Sequence, residues 1–177
     1  MGLNGGRAAM SPADILVTPR GARFLGRRFP ASVGRGGIVP PGAKREGDGA
    51  TPAGVLLITG ALWRADRMAR PCPWAVPIGP GDLWSDDPAD PAYNTQVRAP
   101  HPYSHERLAR ADGMYDLILL TDWNRPRATP GRGSAIFVHA WRGPGKPTQG
   151  CVALRRDHLA WIAARAVPGT RLVVAQP

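Results

Sequence analysis

A mainly β domain with one or two helices is predicted for this chain on three observations. The 177 residues include 22 glycines and 20 prolines, a content that favours turns and short strands over a helical bundle. The apolar runs are short and bounded by turn residues, as in Tyr115–Thr121 and Ala135–His139. Only one stretch has clear helical spacing: Leu159, Ile162, Ala163 and Ala166. At this length one domain can bury its own core.

The elements follow in order. Asp14–Thr18 reads as a strand, Pro19-Arg-Gly21 as a turn, and Ala22–Val33 as a second strand, so that a hairpin opens the domain. Val39–Pro52 is a Gly/Pro/charged loop. Val55–Thr59 is a short buried strand. Arg64–Ala99 lacks periodicity and reads as a long loop, of the kind that is usually functional or inserted. Ser104–Ala111 reads as a short helix capped by Ser104. Tyr115–Thr121 and Ala135–His139 are central strands joined through the Gly/Pro-rich turn at Arg125–Gly133. A helix through Leu159 and Ala166 stops at Pro168-Gly169, and Thr170–Ala175 closes the domain as a strand. Residues 14–177 form a single domain, and residues 1–13 a short disordered leader. That leader has no apolar core of the signal-peptide type.

The net charge is +10, and 21 of the 23 basic residues are arginines, Lys44 and Lys146 being the exceptions. Such a surface calls for an anionic partner: nucleic acid, a membrane surface or an acidic polymer such as cell wall. The arginines are scattered through Gly/Pro-rich stretches rather than gathered on a helix, so a specific nucleic-acid role is not expected. No apolar run reaches the ~20 residues that span a bilayer. Cys72 and Cys151 cannot make a disulfide framework. His101 and His105 sit beside Pro100 and Pro102, which speaks against a helical metal pair. Asp86, Asp87 and Asp90 lack calcium-loop spacing. No metal and no cofactor are expected.

The informative segment is Ser134–Leu154, SAIFVHAWRGPGKPTQGCVAL. His139 ends an apolar strand, a Gly/Pro/Lys loop follows, and Thr148-Gln149-Gly150-Cys151 closes it. A thiol becomes a strong nucleophile once deprotonated, and a nearby imidazole can accept its proton or hold it as an ion pair. Cys151 is therefore the candidate nucleophile and His139 its base. Loss of His139 is expected to raise the thiol pKa towards ~8.5. Amides around Gly150 and Cys151 are candidates for an oxyanion site. The competing reading is a buried structural cysteine near an unrelated histidine.

The same segment resembles the signature of the L,D-transpeptidase catalytic domain, in which a His ends a strand and Ser/Thr-His-Gly-Cys follows a variable loop. Lys44–Gly54 (KREGDGATPAG) resembles that family's Gly-Asp-x-x-Thr-Pro-x-Gly motif. Trp84-Ser-Asp-Asp-Pro88, Tyr93-Asn94, Ser104-His-Glu106, Tyr115-Asp116 and Gly133–His139 resemble a bacterial subgroup of short members without signal peptides. The resemblance covers residues 14–175. It departs at Gln149, where the family has His, and at Ala153, where Arg or Asn is common.

The resemblance implies a β-sandwich of two mixed sheets with a packed helix. It implies acyl transfer between peptidoglycan stem peptides, donor and acceptor, through a Cys151 acyl-enzyme with His139 as proton carrier. The subgroup implies 1→3 cross-links, from L-Ala to diaminopimelate. The alternatives are 3→3 cross-linking, an L,D-carboxypeptidase or cross-link hydrolase, and a non-catalytic cell-wall-binding module. A periplasmic or envelope location follows from the substrate. Arg45, Trp141, Lys146, Thr148, Gln149, Tyr93 and Asn94 are the candidate substrate-binding residues. For Tyr93 and Asn94 a structural role is the competing reading.

Overall fold

The computed structural model describes residues 10–176, so most of the expected leader, residues 1–9, lies outside the described residues. Residues 10–13 enter the first strand through a turn closed by Asp14 N–H donating to Ser11 O at 3.0 Å.

Fifteen strands and one helix follow: β1 Ile15–Thr18, β2 Gly21–Phe24, β3 Arg27–Phe29, β4 Ala31–Ser32, β5 Ile38–Val39, β6 Thr51–Pro52, β7 Gly54–Trp63, β8 Ala75–Pro77, β9 Asp82–Ser85, β10 Gln96–Arg98, β11 His105–Arg107, β12 Leu117–Thr121, β13 Phe137–Ala140, β14 Val152–Leu154, α1 Arg156–Ala163 and β15 Arg171–Val174. Nine strands lie in the order β3-β2-β1-β15-β7-β12-β13-β14-β4, with β8 also paired to β7. β10-β9-β11 and β5-β6 form two smaller sheets.

The strand β7 belongs to both halves of the main sheet. Gly54–Leu57 pair with β15, whereas Ile58–Trp63 pair with β12 across a bulge at Leu120/Thr121. A bulge bends and twists the strand that carries it, and the two halves face each other as the layers of a sandwich. One layer, β3-β2-β1-β15 with the start of β7, pairs β1 and β15 in parallel. The other, the end of β7 with β12-β13-β14-β4, pairs β13 and β14 in parallel. Both sheets are therefore mixed, as expected.

Alternation along each strand builds two cores. Ile15, Val17, Phe24, Leu56, Ile58, Leu117, Leu119, Val138, Val152 and Leu172 point between the layers, where Leu159, Ile162 and Ala163 of α1 join them. The intervening residues Ile118, Phe137 and Cys151 point to the far side of the second layer. There β9 covers them, with Trp84 edge-on to Phe137 at 4.8 Å between ring centroids. The period of two thus determines which side chains reach that outer face.

Four readings are corrected. Ala22–Val33 is broken at Leu25-Gly26, where both φ angles are positive, into β2, β3 and β4. Ser104–Ala111 is not a helix. It carries β11, because His105, Glu106 and Arg107 pair with Ser85, Trp84 and Leu83 of β9. Arg64–Ala99 is not a bare loop but supplies β8, β9 and β10. The Val39–Pro52 loop ends in β6. Among the described residues no helix is long and apolar enough to cross a membrane.

Candidate active site

Cys151 immediately precedes β14, and the parallel register Val138↔Val152 and His139↔Ala153 sets it beside Phe137. Cys151 and His139 are therefore diagonal neighbours on one face of one sheet. Both line a cleft of about 360 Å³, although each is more than nine-tenths buried.

Each side chain is held by backbone. The Cys151 thiol donates to Ala135 O at 3.0 Å, and Phe137 N–H donates to Sγ at 3.4 Å. His139 Nδ1 lies 2.8 Å from Ala140 O. A carbonyl can only accept, so Nδ1 carries the proton and Nε2 is the free acceptor. The Tyr115 ring packs edge-on against the imidazole at 5.3 Å, and its hydroxyl donates to Glu106 Oε2 at 2.5 Å.

Burial dominates the electrostatics. It pushes the thiol up to about 12, with the Glu106 charge adding to the rise and the Phe137 amide opposing it. It pulls His139 down to about 4, against the hydrogen bond to Ala140. Glu106 is raised, first by its own burial. At neutral pH the resting pair is thus a neutral thiol and a neutral imidazole. Burial, the largest influence on each group, works against the pre-formed thiolate–imidazolium pair that the sequence allows.

The segment before Cys151 is fixed by two hydroxyls. Thr148 Oγ1 donates to Cys151 O at 2.6 Å and accepts from Gly150 N–H at 3.1 Å. Thr51 Oγ1 donates to Gly150 O and accepts from Gly34 N–H, both at 2.8 Å. Gly150 has φ +137°, and a Cβ there would lie 2.9 Å from Ala50 O. The Gly-Asp-x-x-Thr-Pro stretch thus cradles the Gly-Cys turn across 99 residues of chain. Gly150 N–H is already given to Thr148, and neither Gln149 N–H nor Cys151 N–H has an acceptor among the described residues; of these two amides that of Cys151 belongs to the candidate nucleophile itself.

The cleft gathers some of the candidate residues and leaves others out. Trp141, Lys146, Thr148 and Gln149 line it with Cys151 and His139. Arg45 does not: its guanidinium donates to Gly42 O and Lys44 O. Asn94 is buried, its carbonyl accepting from Trp84 Nε1 and Ala135 N–H and its amide nitrogen donating to Trp123 O and Asn124 O. Four satisfied contacts leave it a structural part, holding the strand end that carries Ala135. Tyr93 is also buried and donates to Glu46, itself a lining residue.

Glu106, Arg110, Tyr115 and Arg142 line the cleft as well and were not singled out from the sequence as substrate contacts. The signal lay in Ser104-His-Glu106 and Tyr115-Asp116, motifs whose convergence needs the β9–β11 pairing to be seen.

A search of curated proteins finds no match. Among solved structures, an L,D-transpeptidase from Mycobacterium smegmatis is similar at 16% identity and TM-score 0.41 over 92% of this chain. The chain spans 58% of that protein's length. The family model YkuD, the L,D-transpeptidase catalytic domain, matches residues 15–174, from the first strand to the last. Over nearly its whole length, therefore, the chain belongs to the L,D-transpeptidase catalytic-domain family.

Proposed function

We propose that the chain is a cysteine-dependent acyltransferase of peptidoglycan stem peptides, acting in the cell envelope. The observation that carries this reading is the meeting of Cys151 and His139 on one sheet face in one cleft. A donor stem entering the cleft meets a thiol whose proton passes to His139 Nε2. Sγ then bonds to the donor carbonyl carbon, and the oxygen takes up the negative charge. The Cys151 N–H stabilises that oxyanion. His139 returns the proton to the leaving amine as the C–N bond breaks, giving a thioester. The acceptor amine attacks the thioester, His139 takes its proton, and the released thiolate is reprotonated.

Arg110, Arg142 and Lys146 line the cleft beside the carboxyls of Glu46 and Glu106. Arg142 and Lys146 suit the free carboxylates of a stem peptide, the Arg142 guanidinium bidentately, whereas the Arg110 guanidinium is held by Asp112. Trp141 and Gln149 line the passage to the thiol.

The resemblance to the short subgroup, together with Gln149 and Ala153 around the nucleophile, supports L-Ala as donor and a 1→3 cross-link. A changed surround alters which carbonyl docks, and reactivity demands placement to about an ångström. The test is expression in a bacterial host lacking L,D-transpeptidases, followed by tandem mass spectrometry of its muropeptides. Dimers joining L-Ala to diaminopimelate are expected, and Cys151→Ala should abolish them. Dimers joining two diaminopimelates would replace the linkage assignment. Shortened monomers alone would make water the acceptor.

A further inference from the structure

On the opposite side of the sandwich, the outer face of β1, β2 and β3 holds an open groove of about 500 Å³. Arg20, Arg23 and Arg28 line it with Leu16, while the side chains of Ala22 and Phe29, also at its edge, turn into the core between the layers. It shares no lining residue with the cleft. The register sets Arg23 directly opposite Arg28, and Leu16 opposite Arg23, so the two guanidiniums form a cross-strand pair on the solvent face. Like charges directly opposite destabilise a strand pair. None of the three arginines takes part in an ion pair among the described residues, and no Asp or Glu lines the groove. A hairpin that sets two arginines face to face, with a third at the preceding turn between β1 and β2, breaks a local rule without compensation inside the molecule. A bound oxyanion would supply that compensation, since arginine forks take carboxylates bidentately.

We propose that this groove is a second, non-catalytic site that binds carboxylates of peptidoglycan stems, holding one strand of the sacculus while the cleft works on another. The proposal rests on the function proposed above for its choice of polymer. The charge complementarity rests on the arginines alone. A groove and a cleft on opposite faces fit an enzyme that lies between strands of an anionic network.

The experiment compares the wild-type chain with the triple variant Arg20→Gln, Arg23→Gln, Arg28→Gln. Co-sedimentation with isolated sacculi is measured at low and high salt, and turnover is measured on a soluble disaccharide tetrapeptide. The variant should bind sacculi more weakly by on the order of tenfold at low salt. It should lose most of the salt dependence, keep soluble turnover within about twofold of wild type, and melt no lower, because a like-charge pair has gone. Unchanged sacculus binding would overturn the proposal. So would arginine-dependent binding of phosphatidylglycerol vesicles or duplex DNA in preference to sacculi. If the wild type turned over no soluble substrate, the catalytic reading would fail, while the sedimentation arm would still decide the groove.

Discussion

The thiol of Cys151 rests between two backbone groups, one accepting its proton and one donating to its sulfur. A pKa of about 12 leaves thiolate at roughly one part in 10⁵ at pH 7. Reactivity must then appear only when substrate and His139 act on the thiol together, which protects it from stray electrophiles. In a Cys72→Ser background, alkylation of substrate-free Cys151 by iodoacetamide should climb with pH through 9 without levelling off; a plateau near 7 would mean a resting ion pair. His139→Ala opens the site to water, so the thiol pKa should fall towards ~8.5 rather than rise. Turnover should nonetheless drop by about 10³ or more, because the proton carrier is gone. The pair was legible in the sequence because both residues flank apolar strands. Its protonation was not, because burial depends on Trp84, Tyr115 and Glu106 arriving from elsewhere in the chain.

The Thr148–Cys151 turn works as one element with Thr51. Thr148→Val removes two bonds that hold the turn, those to Cys151 O and Gly150 N–H. It should lower stability by about 1–3 kcal/mol and turnover by more than that loss of folded protein explains. Gly150→Ala forces a Cβ to 2.9 Å from Ala50 O at a φ that disfavours side chains, and should destabilise more than Thr148→Val. Chemical denaturation and steady-state rates on the soluble substrate check both. If Gly150→Ala unfolded like wild type, the close approach would be wrong. Strands with strong apolar runs, such as Leu117–Thr121, could be read directly, as could the helix around Leu159. The three-residue strands could not. The segment Ser104-His-Glu-Arg107 has helix-compatible residues and a good cap, yet pairing to β9 overrides that local preference. Arg45 and Asn94 illustrate the matching limit at the site: their residue types suit binding, but their hydrogen bonds are spent within the protein.

For the whole molecule, the buried pair makes stability depend on pH from both sides. His139 has a folded pKa near 4 against an ordinary 6.5, so the unfolded chain binds more protons between those values and stability falls as pH drops through them. Cys151 has a folded pKa near 12 against 9.0, so the folded chain keeps a proton that the unfolded one loses, and stability falls as pH rises above 9. The contribution of this pair is therefore fully present between about pH 6.5 and 9. Melting temperature measured across pH should fall less steeply on the alkaline side in Cys151→Ala and on the acid side in His139→Gln. An unchanged profile in both would mean the site is wetter than its geometry implies.

The parallel pairing of β1 with β15 also sets an order in time. The first strand finds its permanent neighbours on either side only when the last strand is present, because β15 lies between β1 and β7. A chain emerging from a ribosome can close the β2–β3 hairpin early, but this layer stays open until β15 has been made. Until that strand emerges, such a polypeptide remains threadable. That is a useful state for a protein whose proposed substrate lies on the far side of a membrane.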